Sequence, residues 1–315
     1  MIHKDPDDWV NGPDQLNSSA IIDPLSLSLQ HSVAVMIATR NRVKELRKTM
    51  EVLRQMNPGP AEILITADGC TDDTVATVRE MLPHARLLVH EVGEGSVASR
   101  DQMMRSATSD LVFSLDDDSY PEQSDCIARF VQTFQENSKL AVLHFPQRSD
   151  EFLETLSRTD FGPMRRTRSF ASSGAVLRRQ TYLELSGFET RFFHMYEEPD
   201  YAVRCVAAGY EVVLSPLITI RHHYSSRGRD EIGTHHRHSR NEFCSVLMRC
   251  PFPQVVGLIA WRAFAQFRYA CHRGWFWLVR EPIWWGDALT HLPSAIRNRK
   301  PLPWHSYYRW LRLSR

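Results

Sequence analysis

Residues 111–122, "LVFSLDDDSYPE", hold the sequence's strongest chemical signal. An apolar run ends abruptly at Asp116, Asp117 and Asp118. Like charges this close repel and raise one another's pKa, so such a cluster needs a use or a counter-charge. Successive strand side chains point to opposite faces, so Asp116 and Asp118 can share a face while Asp117 points away. Two carboxylates so spaced suit a hard divalent cation, Mg2+ or Mn2+, with positions left open for phosphate oxygens. The plain alternative is a set of solvated acids capping a helix that opens at Pro121.

Other reactive side chains recur at comparable places. Asp68, in "TADGCTDDT", directly follows an apolar run, and Gly69 permits a tight turn. Asp68 can accept from a base or ribose edge, or form an Asx-type turn into a helix. "TRN" (39–41) also follows an apolar run. In "MYEEPDYAVR", Pro199 is expected to open a helix with Glu198 at or beside its N-cap. The helix dipole favours a carboxylate anion there, leaving Glu197 and Glu198 as candidate bases. Asp200 and Arg204 are spaced i,i+4 and are expected to pair on the helix surface as a structural feature. His222 and His223 end the run "LITIRHH" and suit either a metal or phosphate contact or a structural role. Arg165, Arg166 and Arg168 precede "SSGAVL" and suit either an anionic ligand or solvent.

The elements that must position these groups show a regular rhythm. Short apolar runs at 33–38, 61–67, 85–91, 110–116 and 140–145 read as buried strands. Segments 42–56, 71–82, 97–107 and 121–137 read as helices; in the first, Val43, Leu46, Met50 and Leu53 recur at helical spacing. This alternation predicts an α/β fold, a mainly parallel sheet flanked by helices. Ligands of such sheets bind beyond the strands' carboxyl ends, where "TRN", "DGCTDDT" and the Asp triplet all fall. Further on, "SSGAVL" reads as a small-residue strand, "RCVAAG" as a helix ending at Gly209, and 217–226 as a strand reaching the two histidines.

With 43% apolar and 24% charged residues, the 315-residue chain has the composition of a globular protein with a real core. Its charge is uneven. From Pro251 to Arg315 there are ten Lys and Arg and two Asp and Glu, a net of +8, while the whole chain carries +1. Seven of the eight tryptophans lie in the same stretch. We expect a helical, aromatic-rich extension that meets a membrane surface through 251–315; the alternative is a subdomain that buries its tryptophans on the core. No recognition motif favours nucleic acid. The six cysteines form no CxxC pair, and neither a signal peptide nor a transmembrane segment is read, so a reduced, cytoplasmic setting is expected. The expected organisation is an N-terminal extension (1–30), a catalytic domain (31–245) and a basic, aromatic tail (246–315).

The ordered set "IATRNR", "DGCTDDT", "GEGSVASRD", "LDDDSYPE", "SSGAVLRR", "GFETRFFHMYEEPDYAVRCVAAGYEVV" and "IRHHYSS" resembles the family 2 glycosyltransferases over residues 31–245. The resemblance implies a GT-A, Rossmann-like fold and transfer of a hexosyl or deoxyhexosyl group, with inversion, from a nucleotide-sugar donor to a glycan or lipid-linked acceptor. It implies Mn2+ or Mg2+ as cofactor. Thr39, Arg40 and Arg42 match the first loop that meets the nucleotide, and Asp68 the aspartate that holds the base. Arg100 matches a nucleotide-sugar-binding arginine that asparagine follows in the family, whereas Asp101 follows it here. Asp116 and Asp118 match the DxD ligands of metal and ribose, with Asp118 the more direct metal ligand and Asp117 between them at the nucleotide. His222 matches a histidine that completes the metal site. Glu198 falls at the catalytic base position, where aspartate is common, with Glu197 beside it. The runner-up readings are a nucleotidyltransferase of similar fold, which would carry a Gly-rich loop in place of "TRNR", and an inactive sugar-nucleotide-binding or scaffold protein.

Overall fold

The computed structural model describes residues 31–223 and 230–314. The expected extension 1–30 and the end of the strand read over 217–226 lie outside the described residues.

The sheet is built from β1 (Val33–Thr39), β2 (Glu62–Asp68), β3 (Arg86–His90) and β4 (Leu111–Asp116), all mutually parallel. Helices α1 (Val43–Leu53), α2 (Thr74–Met81) and α3 (Ser96–Ser106) supply the crossovers. Because helices cover both faces, β1 reads as a continuous apolar run, yet it still alternates. Val33, Val35 and Ile37 join a core with Leu46, Phe113 and Phe130, while Ala34 and Met36 join a second core with Tyr182 and Tyr201 on the other face.

Beyond β4 the order departs from simple alternation. A short strand β5 (Ser119–Pro121) precedes helix α4 (Cys126–Glu136) and strands β6 (Leu140–His144), β7 (Gln147–Ser149), β8 (Arg165–Arg166) and β9 (Gly174–Arg178). Helices α5 (Arg179–Glu184) and α6 (Glu197–Ala207) follow, then strands β10 (Glu211–Leu214) and β11 (Ile220–His222). The main sheet runs β3-β2-β1-β4-β9-β6-β10-β8, with β9 antiparallel between β4 and β6. A second sheet, β5-β11-β7, crosses the carboxyl end of β4. The two sheets meet closely: a Cβ on Gly174 would stand 2.5 Å from Cγ1 of Ile220.

That second sheet corrects one expectation. Pro121 does not open a helix; it ends β5, paired with Ile220, and α4 begins five residues later at Cys126. The pairing partner is a hundred residues away, so the local pattern carries no trace of it.

The C-terminal segment is helical, as expected: α7 (Glu231–Arg249), α8 (Gln254–Arg273), α9 (Trp275–Leu278), α10 (Glu281–Arg297) and α11 (Trp304–Arg312). Helix α7 runs unbroken across the expected boundary at 245/246. It and α11 pack on α6 through Val203, Val206, Val246, Tyr307 and Trp310. A second correction lies in that contact. Asp200 and Arg204 do pair, at 3.0 Å, but Asp200 is fully buried rather than on the surface. It also accepts from Ser245 at 2.9 Å and Arg249 at 2.9 Å, both on α7. Burial pushes the Asp200 carboxyl up, but Arg204, Arg249 and Ser245 outweigh it and hold the group below the usual range. The carboxylate is therefore a joint between α6 and the C-terminal helices.

Candidate active site

The first two βα loops are stitched together. Asn41 accepts from the backbone N–H of Thr71 at 2.7 Å, and Asp72 accepts from the N–H of Val43, the first residue of α1, at 3.2 Å. Asp68, at the end of β2, fastens a third loop. Its carboxylate accepts from the N–H of Glu94 at 2.8 Å and of Gly95 at 2.9 Å, and its Oδ1 lies 2.8 Å from Nδ1 of His90. Burial pushes Asp68 up, but these bonds prevail and leave it below the ordinary carboxylate range. Oδ1 is taken by Glu94 and His90, but Oδ2 accepts only from Gly95 and keeps a lone pair for a base N–H. Gly95 is required where it stands: φ is +95° and a Cβ would meet the carbonyl oxygen of Phe193 at 2.5 Å.

The Asp triplet does what its spacing suggests, by a different route. Strand β4 ends at Asp116, and Asp117 and Asp118 lie in a turn, so no pleat alternates through them. Asp117 stands outside the group that Asp116 and Asp118 form with His222, though it shares Arg42 with Asp118. It accepts from Oγ1 of Thr39 at 2.8 Å and lies 3.4 Å from Nε of Arg42. Burial pushes its pKa up to about 7, with Arg42 opposing and Asp118 adding to the rise. Asp118 is 2% exposed and is held by Arg42 and by Nε2 of His222 at 3.2 Å. For Asp118 burial raises the pKa, but His222 and Arg42 prevail and lower it.

Donor atoms of Asp116, Asp118 and His222 all lie within 4.8 Å of one another. Among the described residues this is the only such group of His, Cys, Asp or Glu. The donor set fits a divalent cation. Nδ1 of His222 lies 2.9 Å from Oε1 of Gln147, whose amide nitrogen donates to Ser173 at 2.6 Å. With Nδ1–H donated to that oxygen, a neutral imidazole turns the lone pair of Nε2 toward the Asp118 carboxylate. A divalent cation bound there would take that lone pair as a ligand in place of the contact with Asp118, and Gln147 is the outer partner that fixes the ring. Two carboxylates and one imidazole suit Mn2+ or Mg2+ better than a thiolate-seeking metal.

Arg100, 6% exposed on α3, joins this group to the candidate bases. Its Nη2 donates to Asp116, and its Nη1 lies 3.7 Å from Oε1 of Glu197. The helix carrying the bases begins at Glu197, two residues before Pro199, so Glu197 and Glu198 are its first two residues. The dipole does not govern their ionisation, as it was expected to. Burial pushes Glu197 up, and the neighbouring Glu198 carboxylate adds to it against Arg100. Glu198 is raised for the same leading reason, burial. Glu197 is 2% exposed and its Oε2 has no hydrogen-bond partner; Glu198 is half-buried and accepts from the N–H of Ser172 at 3.4 Å.

The loop before these glutamates is strained. Phe193, Met195 and Tyr196 have φ of 63°, 76° and 72°, values that cost a non-glycine residue about 1–3 kcal/mol each. Asn241 on α7 holds it: its buried amide donates to the carbonyls of Phe192 at 3.1 Å, His194 at 2.9 Å and Met195 at 2.7 Å. Asn241, Gln147 and His90 escaped the sequence reading. Each lies remote in sequence from the group it holds, inside an unremarkable polar segment.

Other candidates fall outside the cluster. Arg40 is exposed, with its guanidinium over Gly93. The His223 ring lies 2.8 Å from the Tyr120 hydroxyl and 3.3 Å from Asp150, while its backbone N–H donates to the Asp118 carbonyl at 2.8 Å. Arg165 and Arg166 form the sheet's edge strand β8, where Arg166 pairs with Glu211 at 2.6 Å.

Residues 34–205, over half of the chain, match the sequence profile of glycosyl transferase family 2. The chain belongs to glycosyl transferase family 2. This family member is 23% identical over 209 residues to the uncharacterized glycosyltransferase YwdF of Bacillus subtilis (strain 168), covering 63% of this chain and 76% of that one. Its fold is similar to that of the mannosyltransferase PcManGT from Pyrobaculum calidifontis, solved with GDP-Man and Mn2+, at a TM-score of 0.58 and 17% identity over 96% of this chain and 89% of that one. A second likeness is to residues 1–349 of S. aureus TarS, at a TM-score of 0.58 and 14% identity over 84% and 81% of the two chains. A third is to GalNAc-T7, solved with UDP, GalNAc and Mn2+, at 0.58 and 12% identity; here the match covers 70% of this chain and 48% of the other. The glycosyltransferase 2 fold is thus a GT-A fold, with a central, mostly parallel sheet.

Proposed function

We propose that this family 2 glycosyltransferase moves a hexosyl or deoxyhexosyl group, with inversion and with a divalent metal, from a nucleotide sugar to a hydroxyl of a glycan or lipid-linked acceptor. We place it in the cytoplasm, at a membrane surface. The observation that carries the reading is the convergence of Asp116, Asp118 and His222 with Glu197 and Glu198, joined by Arg100. The GDP-Man in the solved PcManGT complex, the UDP and GalNAc in that of GalNAc-T7, and the Mn2+ in both support the donor and the metal.

Asp116, Asp118 and His222 hold the cation, Mn2+ or Mg2+, which when bound neutralises charge developing on the diphosphate leaving group. Thr39, Arg40, Arg42, Asp68 and Asp117 line the nucleotide side, and Arg100 holds Asp116 in place. Glu198 is the base. It takes the proton of the acceptor hydroxyl as that oxygen attacks the anomeric carbon from the face opposite the leaving phosphate, so the configuration inverts. Burial raises its pKa, which makes the ionised carboxylate a stronger base toward that proton. Glu197, the more deeply buried, keeps Arg100 aligned.

The test is a panel of nucleotide sugars, each followed for hydrolysis and for thermal stabilisation with Mn2+. One or more should stabilise the fold and be consumed. Failure of every sugar nucleotide to do either, while a nucleoside triphosphate does, would move the reading to nucleotidyl transfer.

A further inference from the structure

No helix among the described residues is long and apolar enough to cross a membrane. Yet α8, α9 and α10 turn a continuous apolar face outward. On α8, Val256, Ala260, Phe264 and Phe267 are exposed at helical spacing, with Trp261 on their flank. At the hairpin tip Trp275 is 76% exposed, with Phe276 beside it. On α10, Ile283, Trp285 and Leu289 continue the surface. The alternative, that the tail buries its tryptophans, holds for Trp284 and Trp310 only in part of the segment; Trp261, Trp275, Trp285 and Trp304 stay exposed. Exposed aromatics this continuous mark an interaction surface.

The charges on this surface select the partner. The segment's two carboxylates are both engaged. Glu281 is 2% exposed and bonded to the Trp284 indole at 2.5 Å; Asp287 is paired with Arg240 at 3.1 Å. The cations lie among the exposed rings. The Arg280 guanidinium sits 3.5 Å from the centroid of Phe276 and that of Arg273 4.6 Å from Trp277, and Arg268 is exposed on α8. A second copy of the chain would bring the same net positive face to the contact: Gln254–Arg297 holds five Arg against Glu281 and Asp287, a net of +3. Arg273 is also paired with the exposed Glu231 at 2.8 Å, so Arg268 and Arg280 are the cations that, with the exposed aromatics, complement an anionic lipid surface.

We propose that the α8–α9–α10 hairpin is a monotopic membrane anchor that rests its apolar face in the headgroup region of an anionic leaflet. It deepens the membrane clause of the proposed function, on which it rests, and names the lipid charge and the inserting residues.

The test uses the full-length protein and vesicle flotation, without any turnover, so its outcome is separable from the enzyme chemistry. Vesicles of phosphatidylcholine alone are compared with vesicles that also hold phosphatidylglycerol. The protein should float with the anionic vesicles only. A double substitution, Arg268→Gln with Arg280→Gln, should weaken partition about thirtyfold, and Trp275→Ser with Phe276→Ser at least as much. Both variants should keep the wild-type circular dichroism and thermal unfolding. Protein that stays unbound with both vesicle types, or variants that float like wild type, would overturn the proposal. So would a concentration-dependent dimer, lost in Trp275→Ser, without flotation: the face would then belong to a second copy.

Discussion

Arg100 and Glu197 face each other at 3.7 Å inside the protein, and the same guanidinium is bonded to Asp116. One buried cation thus ties the end of β4 to the start of α6. Removing it strands a buried carboxylate. Burial pushes Glu197 up to about 8, so at about pH 9, where it is ionised beside Arg100, Arg100→Met should lower stability by about 3 kcal/mol in urea unfolding. Adding Glu197→Gln should return more than half of that loss, because the stranded charge is gone. Strictly additive losses would show that the two side chains do not communicate.

Asn241 makes a claim about positioning. It donates to three carbonyls of the left-handed loop that delivers Glu197 and Glu198. Asn241→Leu keeps the volume and removes the donors, which should cost about 2 kcal/mol. If the loop carries the base, kcat should fall about tenfold with KM for the donor within about twofold. Asn241→Asp should not rescue, since a carboxylate has no N–H to give. A stability loss with unchanged kcat would confine Asn241 to supporting the fold.

The three aspartates should differ in rank. Asp116→Asn and Asp118→Asn each weaken the cation group and should reduce Mn2+-dependent nucleotide-sugar turnover about a hundredfold. Asp118→Ala should also lose the extra donor affinity that Mn2+ confers. Asp117→Asn leaves an amide oxygen for the Thr39 hydroxyl and should cost the least of the three. Kinetics of the three variants across a Mn2+ titration check the order; a loss at Asp117 equal to that at Asp118 would reverse it.

His144 supplies a pH dependence away from the site. It is buried, with Nε2 2.8 Å from the Thr167 hydroxyl. Burial and then the charge of Arg165 push its pKa down to about 3. The unfolded chain takes up this proton near pH 6.5, and the folded chain does not until about pH 3. The stability is therefore fully present above pH 6.5 and is lost progressively as pH falls toward 3. His144→Gln should flatten the slope of unfolding free energy against pH in that window by about 1.4 kcal/mol per unit. An unchanged slope would mean that His144 is already protonated in the folded protein.

The parallel half of the fold was legible because its strands are fully buried and its helices amphipathic, as in Val43, Leu46, Met50 and Leu53. The triplet at 116–118 was legible as a constellation, since acids at the end of an apolar run have few other uses. What stayed hidden depends on contacts distant in sequence. The pairing of Pro121 with Ile220 displaced a helix start, and the bond from Arg249 to Asp200 turned an expected surface pair into a buried joint. The ionisation of Glu197 and Glu198 was misread for a related reason: helix position is local and visible, whereas burial comes from Arg100, Ser172 and the elements packed around them. Asn241 had no signal at all, because an asparagine within a polar helix does not reveal which carbonyls it meets.

The central claim is that Glu198 takes the acceptor's proton beside a metal-held donor, and Glu198→Gln tests it most directly. With a nucleotide sugar from the panel and Mn2+ present, the variant should bind the donor as wild type does and transfer the sugar about a thousandfold more slowly. Full turnover by Glu198→Gln with donor binding intact would contradict the account.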